Sequence, residues 1–184
     1  MASTSTHPAQ AFTYDDLEGM PTDGYRREII GGTLLVTPAP FARHQRAVFK
    51  LALILGAAET AETMVLPAPC DWRLPSGDSV QPDLLVIDRA DYQPDGPVPA
   101  TATPLLVVEV LSPSNANQDR LMKRALYESL GAPAYWIVDP GRPSLLALRL
   151  RDGRYDVEGE VAGSETFATD WPFALRVTPA DLSR

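Results

Sequence analysis

The chain has 184 residues, 45% of them hydrophobic, and a formal net charge of −8. That length favours one domain with an ordinary core, and no apolar run approaches the roughly 18 residues that a membrane span requires. The acidic balance excludes a basic nucleic-acid coat, though not an enzyme acting on nucleic acid, and a lone cysteine, Cys70, excludes a disulfide framework or a cysteine-based zinc site.

Met1 to Gln10 is polar and lacks the basic and apolar segments of a signal peptide. Residues 1–11 are expected to form a disordered tail and residues 12–184 a single domain, with a cytoplasmic location as the default. Thr13 to Met20 suits a short helix: Thr13 caps it, Asp15 and Asp16 favour its first turn, and Gly19 with Pro21 ends it. Tyr25–Ile30 and Thr33–Val36 flank Gly31-Gly32, a strong hairpin signal. Ala42 to Ala61 reads as a long helix with Val48, Leu51, Ala52 and Leu55 on one face and His44 near its start.

Met64–Pro67 and Cys70–Leu74 suit short strands, and Pro75–Asp78 a turn. Val80 to Asp88 is expected to be one uninterrupted strand. Ala90 to Pro104, rich in Pro, Asp and Gly, is expected to be a surface loop. Leu105 to Leu111 is the most hydrophobic strand candidate, and such a continuous run places it centrally, covered on both faces. Ser112-Pro113-Ser114 stops it. Asn117 to Leu130 suits a second long helix carrying Leu121, Leu126 and Leu130 at helical spacing, with Gly131 as its stop. Ala134–Val138 is a further buried strand. Ser144–Leu150 and Arg154–Glu158 form a hairpin around Asp152-Gly153, and the remainder is expected to be irregular with one short strand at most.

Strand, helix and strand from Leu105 to Val138 form a parallel crossover unit, and the other neighbours are antiparallel. The expected fold is therefore α/β, a mixed β-sheet flanked by helices on both faces, with β-hairpins at both ends.

Two apolar runs each carry one carboxylate, Asp83 and Glu109. A buried carboxylate is costly unless it is paired, protonated or bound to a cation. Of the sixteen basic residues only Lys50 and Lys123 are lysines, and Lys123 follows Glu109 by fourteen residues. Hard divalent cations such as Mg²⁺ take one or two carboxylates with waters and a substrate phosphate. A lysine adds a compact positive charge where charge develops on phosphorus. Asp83, Glu109 and Lys123 are therefore candidates for a divalent-metal phosphodiesterase site. Other readings stay open: Asp83 as a strand-edge residue, Glu109 in a structural salt bridge to an arginine, and Lys123 in a surface pair with Asp119 at i,i+4.

Pro82-Asp83 followed by Glu109-Val110-Leu111 resembles the PD-(D/E)XK nuclease signature. In more detail the chain is similar to a restriction-endonuclease-like family of bacterial proteins. The matching pieces are Arg27–Gly32, His44, Val80–Val86, Val107–Ser114, Asp119 with Lys123 and Tyr127, and Tyr135–Asp139. The lysine that the superfamily places two residues after the glutamate is Leu111 here. The resemblance implies that Lys123, on the following helix, takes its place. It also implies a role for Glu28 as metal ligand or water positioner, and accessory roles for His44 on a phosphate or on Glu28, for Gln81, and for Tyr127 packed over Lys123. The ordinary alternatives are an exposed strand glutamate, a structural histidine and a strand-opening glutamine.

The resemblance implies an Mg²⁺- or Mn²⁺-dependent endonuclease acting on nucleic acid, DNA rather than RNA by preference, working as a homodimer with the Thr33–Val36 hairpin as one candidate contact, and no membrane partner. Two alternatives are a catalytically inactive relative that uses the fold as a binding module and, with less support, a glycosidase built on the carboxylate pair.

Overall fold

A computed structural model describes residues 11–112 and 118–183. The expected tail therefore lies outside the described residues except for Ala11, as do Pro113 and Ser114 of the expected strand stop. No helix among the described residues is long and apolar enough to cross a membrane.

The first helix, α1 (Tyr14–Leu17), is shorter than expected, and its start is fixed by the Asp16 carboxylate accepting from the Thr13 N–H at 2.8 Å. The first hairpin is β1 (Arg26–Ile30) and β2 (Thr33–Thr37), paired antiparallel from Arg26 opposite Thr37 to Ile30 opposite Thr33. Gly31 and Gly32 both take positive φ, the backbone that a tight two-residue hairpin loop needs. The long helix α2 spans Ala42–Ala58 and ends three residues before the expected Ala61. The strands β3 (Thr63–Pro67) and β4 (Trp72–Arg73) follow.

The expected strand from Val80 to Asp88 is two strands. β5 (Ser79–Val80) pairs with β1 and β4, whereas β6 (Leu84–Asp88) pairs with β3 in another sheet. Pro82 has no N–H to give a ladder, so the chain leaves one sheet at Gln81 and enters the next after Asp83. The loop after β6 opens with a 3₁₀ turn and is partly inside: Val98 and Ala102 are buried around Trp72.

The expected central strand is β7 (Leu106–Val110), buried along its whole length between β6 and β8. α3 (Gln118–Ser129) leads to β8 (Ala134–Asp139), which runs parallel to β7. The second hairpin, β9 (Ser144–Arg151) and β10 (Arg154–Ala162), turns at Asp152 and Gly153, both at positive φ. The end of the chain is more regular than expected: β11 (Phe167–Thr169) pairs with β12 (Leu175–Val177), and α4 (Pro179–Leu182) follows.

The strands form a six-stranded mixed sheet in the order β10-β9-β8-β7-β6-β3, a four-stranded sheet β2-β1-β5-β4, and the pair β11-β12. Side chains alternate across the large sheet as strand geometry dictates. Leu84, Val86, Leu106, Val108 and Trp136 pack on one face against α2, β11, β12 and α4. Leu85, Ile87, Val107, Tyr135 and Leu148 pack on the other against α3 and the smaller sheet. The fold is α/β with a mixed sheet between helices, a restriction-endonuclease-like arrangement. The small sheet is a separate layer rather than an extension of the large one.

Candidate active site

The break at Pro82 places Asp83 just ahead of β6, where it reaches both layers. Its Oδ1 accepts from Arg26 Nη2 of β1 at 2.7 Å. Its Oδ2 accepts from the Val110 N–H of β7 at 2.8 Å and lies 3.0 Å from His44 Nε2 of α2. Burial pushes this carboxyl up, but the His44 hydrogen bond and the Arg26 charge outweigh it and hold the pKa at about 2. Burial likewise opposes the Arg26 charge, and Asp83 beside it more than compensates, raising an already high pKa.

Glu109 sits on β7, the next strand, on the face that meets α3. Its Oε1 accepts from Lys123 Nζ at 3.0 Å and from Tyr127 Oη at 2.8 Å. The Glu109 carboxyl is pushed up to about 7: burial raises it most, Lys123 pulls against that, and the neighbouring charges of Asp83 and Glu28 add to the rise. The Tyr127 hydroxyl, buried beside Glu109, is raised well above its usual range for the same two reasons.

Lys123 is 2% exposed. Its ammonium lies 3.0 Å from Glu28 Oε1 as well as 3.0 Å from Glu109 Oε1. Lys123 is therefore buried between two carboxylates rather than at the surface; the side chain of Asp119, its expected surface partner, lies outside the described residues. The expected leucine stripe turns inward only in part: Leu126 and Leu130 pack against the core, whereas Leu121 is 73% exposed. Among the described residues, those that α3 buries fully are Lys123 and Tyr127, one turn apart. A helix that turns a lysine inward must meet anions, and Glu28 and Glu109 are those anions.

Glu28 is buried rather than exposed, and its Oε1 also accepts from the Gln81 N–H at 2.9 Å. Gln81 thus serves the cluster through its backbone, while its side chain donates to Asp71 at 2.9 Å. His44 orders Asp83, not Glu28. Arg26 is the residue that sequence reasoning missed. It precedes Glu28 by two, so both project from the same face of β1, and that alternation was the available signal.

Arg26, His44, Asp83, Glu109 and Lys123 line one cavity of about 280 Å³, whose rim includes Pro38, Pro40 and Phe41. Among the described residues, no group of three or more His, Cys, Asp or Glu side chains is arranged to hold a metal ion. Lys123 stands between Glu28 and Glu109, and Arg26 and His44 stand on Asp83. The donor set nevertheless fits a hard divalent cation, since Asp83 and Glu109 bring two carboxylates to one cavity and such ions commonly use no more from the protein.

Comparison with known proteins bears on this geometry. The family described as "Uma2: Putative restriction endonuclease" matches residues 13–176, nearly the whole described chain. A crystal structure from Anabaena variabilis, described as a "putative nuclease belonging to DUF820", superposes with a TM-score of 0.73 at 18% sequence identity, covering 93% of this chain and 97% of that one. At that identity the likeness is one of fold. No curated protein matches the sequence.

Proposed function

The chain belongs to the Uma2 family, and from that premise we propose that it is a metal-dependent endonuclease that hydrolyses phosphodiester bonds of nucleic acid, DNA in the first instance. The observation that carries this reading is the convergence of Asp83, Glu109 and the buried Lys123 on one cavity from two neighbouring strands and a helix. Asp83 and Glu109 would hold Mg²⁺ or Mn²⁺, which when bound polarises a phosphate oxygen as a Lewis acid.

The protein's own groups do the rest. Water attacks phosphorus in line, a new P–O bond forms as the bond to the leaving oxygen breaks, and the proton that the water gives up to solvent is balanced by one that solvent returns to the leaving oxygen. The Lys123 ammonium offsets negative charge developing on the phosphate oxygens and orients the attacking water. Glu28 and Glu109 hold that ammonium in place from two sides. Tyr127 fixes the Glu109 rotamer, and His44 with the Val110 N–H fixes Asp83. The apolar rim at Phe41 narrows the mouth and limits water at the reacting centre.

Nicking of supercoiled plasmid in Mg²⁺ or Mn²⁺ tests the proposal. Asp83→Ala and Lys123→Ala should each lose roughly 100-fold or more in rate. Equal activity in the variants would place the cleavage elsewhere. Cutting both strands of a duplex calls for two copies, and Val36, exposed on β2, is where we place their contact. Sedimentation of Val36→Asp against the parent checks that placement: the same mass for both proteins removes it.

One observation favours a second reading, a binding module without catalysis. The pairs Asp83–Arg26 and Glu28–Lys123–Glu109 already neutralise each other without a metal. A folded protein that shows no heat on titration with Mn²⁺ would favour it.

A further inference from the structure

Asp83 has two oxygens, and three donors already reach them. Arg26 Nη2 holds Oδ1 at 2.7 Å, while the Val110 N–H and His44 Nε2 hold Oδ2 at 2.8 and 3.0 Å. A cation bound by Asp83 would take an oxygen that already carries a donor and must share that oxygen or displace the donor, an argument that rests on the reading of Asp83 as a metal ligand. The donors differ in their freedom to leave. The Val110 N–H belongs to the central strand, paired on both sides. The His44 ring is buried at the start of α2.

Arg26 is placed differently. It opens β1, and its side chain is 19% exposed. It lines not only the 280 Å³ cavity but also a second of about 470 Å³. Both cavities also share Ala39, Pro40, His44 and Asp83, so the Arg26–Asp83 pair forms part of the wall between them. Arg27 next to it is held by Asp23 at 2.7 Å and makes no such partition.

A divalent cation brought onto Oδ1 repels the guanidinium that already sits there. A freed guanidinium is a planar fork of donors suited to a phosphate. We propose that Arg26 is an exchangeable counter-ion. It neutralises Asp83 while no cation is bound, withdraws from Oδ1 toward the larger cavity when a divalent cation binds, and there becomes a ligand for a backbone phosphate of the nucleic acid. Arg26 is thus a positioning residue that couples metal loading to substrate binding.

The test uses two readouts other than cleavage. Nitrogen NMR of arginine-labelled wild type, with Arg26 assigned by comparison with Arg26→Gln, follows the guanidinium during Mg²⁺ addition. Its Nη signals should pass from individually resolved to averaged as the pair opens. Calorimetry with Mn²⁺ should give at least tenfold tighter binding to Arg26→Gln than to wild type. Equal or weaker binding by the variant, when wild type does bind Mn²⁺, overturns the exchange alone. Tighter binding with unmoved Arg26 signals also overturns it, since distant charge would then explain the affinity. If neither protein takes up Mn²⁺, the metal reading falls and the exchange falls with it. Should Arg26→Gln fail to fold, the wild-type NMR titration decides, with Arg26→Lys supplying the assignment.

Discussion

Lys123 is the side chain on which the buried charge balances. Replacing it by methionine leaves Glu28 and Glu109 buried on either side of an apolar group. Breaking such a pair from one side costs roughly 3–5 kcal/mol. Lys123→Met should therefore shift a urea transition strongly downward, and adding Glu28→Gln should recover part of the loss. An unmoved midpoint would mean that the ammonium is not bound as described. Asp83 gives a separate signature in acid. Its folded pKa of about 2 lies below the ordinary value of 3.8. The unfolded chain therefore takes up this proton more readily, and the stability from Asp83, complete above about pH 4, is lost as pH falls toward 2. Asp83→Asn should flatten that part of a stability–pH curve; an unchanged slope would assign the acid sensitivity to other carboxylates.

At the level of elements, the parts that followed simple periodicity were readable from residues alone. The Gly31-Gly32 and Asp152-Gly153 turns and the buried run of β7 are of this kind, because local backbone demands and alternation decide them. The site face of α3 was not readable by that route. An apolar pattern through Leu121, Leu126 and Leu130 points to one face, but Glu28 and Glu109 from two different sheets draw Lys123 inward and leave Leu121 in solvent. The break of Val80–Asp88 was signalled by Pro82, yet its consequence, a change of sheet, depends on contacts distant in sequence. Asp83 and Glu109 stood out because a charge in an apolar run demands a partner. Arg26 did not, because an arginine on a hairpin strand is ordinary until its neighbour is known. Gly159 offers a test of the second hairpin. A Cβ there would come within 2.6 Å of the Phe167 ring, which itself meets the Trp136 ring edge-on at 5.5 Å. Gly159→Ala should destabilise by roughly 1–3 kcal/mol through this overpacking, visible as a lower melting temperature, and an unchanged melt would mean that Phe167 moves aside freely.

Over the whole molecule, the net charge of −8 and the ion-paired cavity belong to one balance. An acidic chain meets a polyanion poorly unless positive charge is concentrated where contact occurs, and a divalent cation beside Lys123 and Arg26 would supply that concentration. Binding to the folded state alone raises stability with ligand concentration, so Mn²⁺ should raise the melting temperature of the wild type and leave that of Asp83→Ala where it was. A rise of the same size in both proteins would put the ion elsewhere. The layered fold makes such a site possible by starting β6 just after Asp83, beside Glu109, and laying α3 across them. The most direct measurement is an anomalous-difference map from a crystal soaked in Mn²⁺. The account expects a peak with carboxylate oxygens of both Asp83 and Glu109 at about 2.0–2.6 Å; manganese bound only at other carboxylates, with Asp83 still held by Arg26, would contradict it.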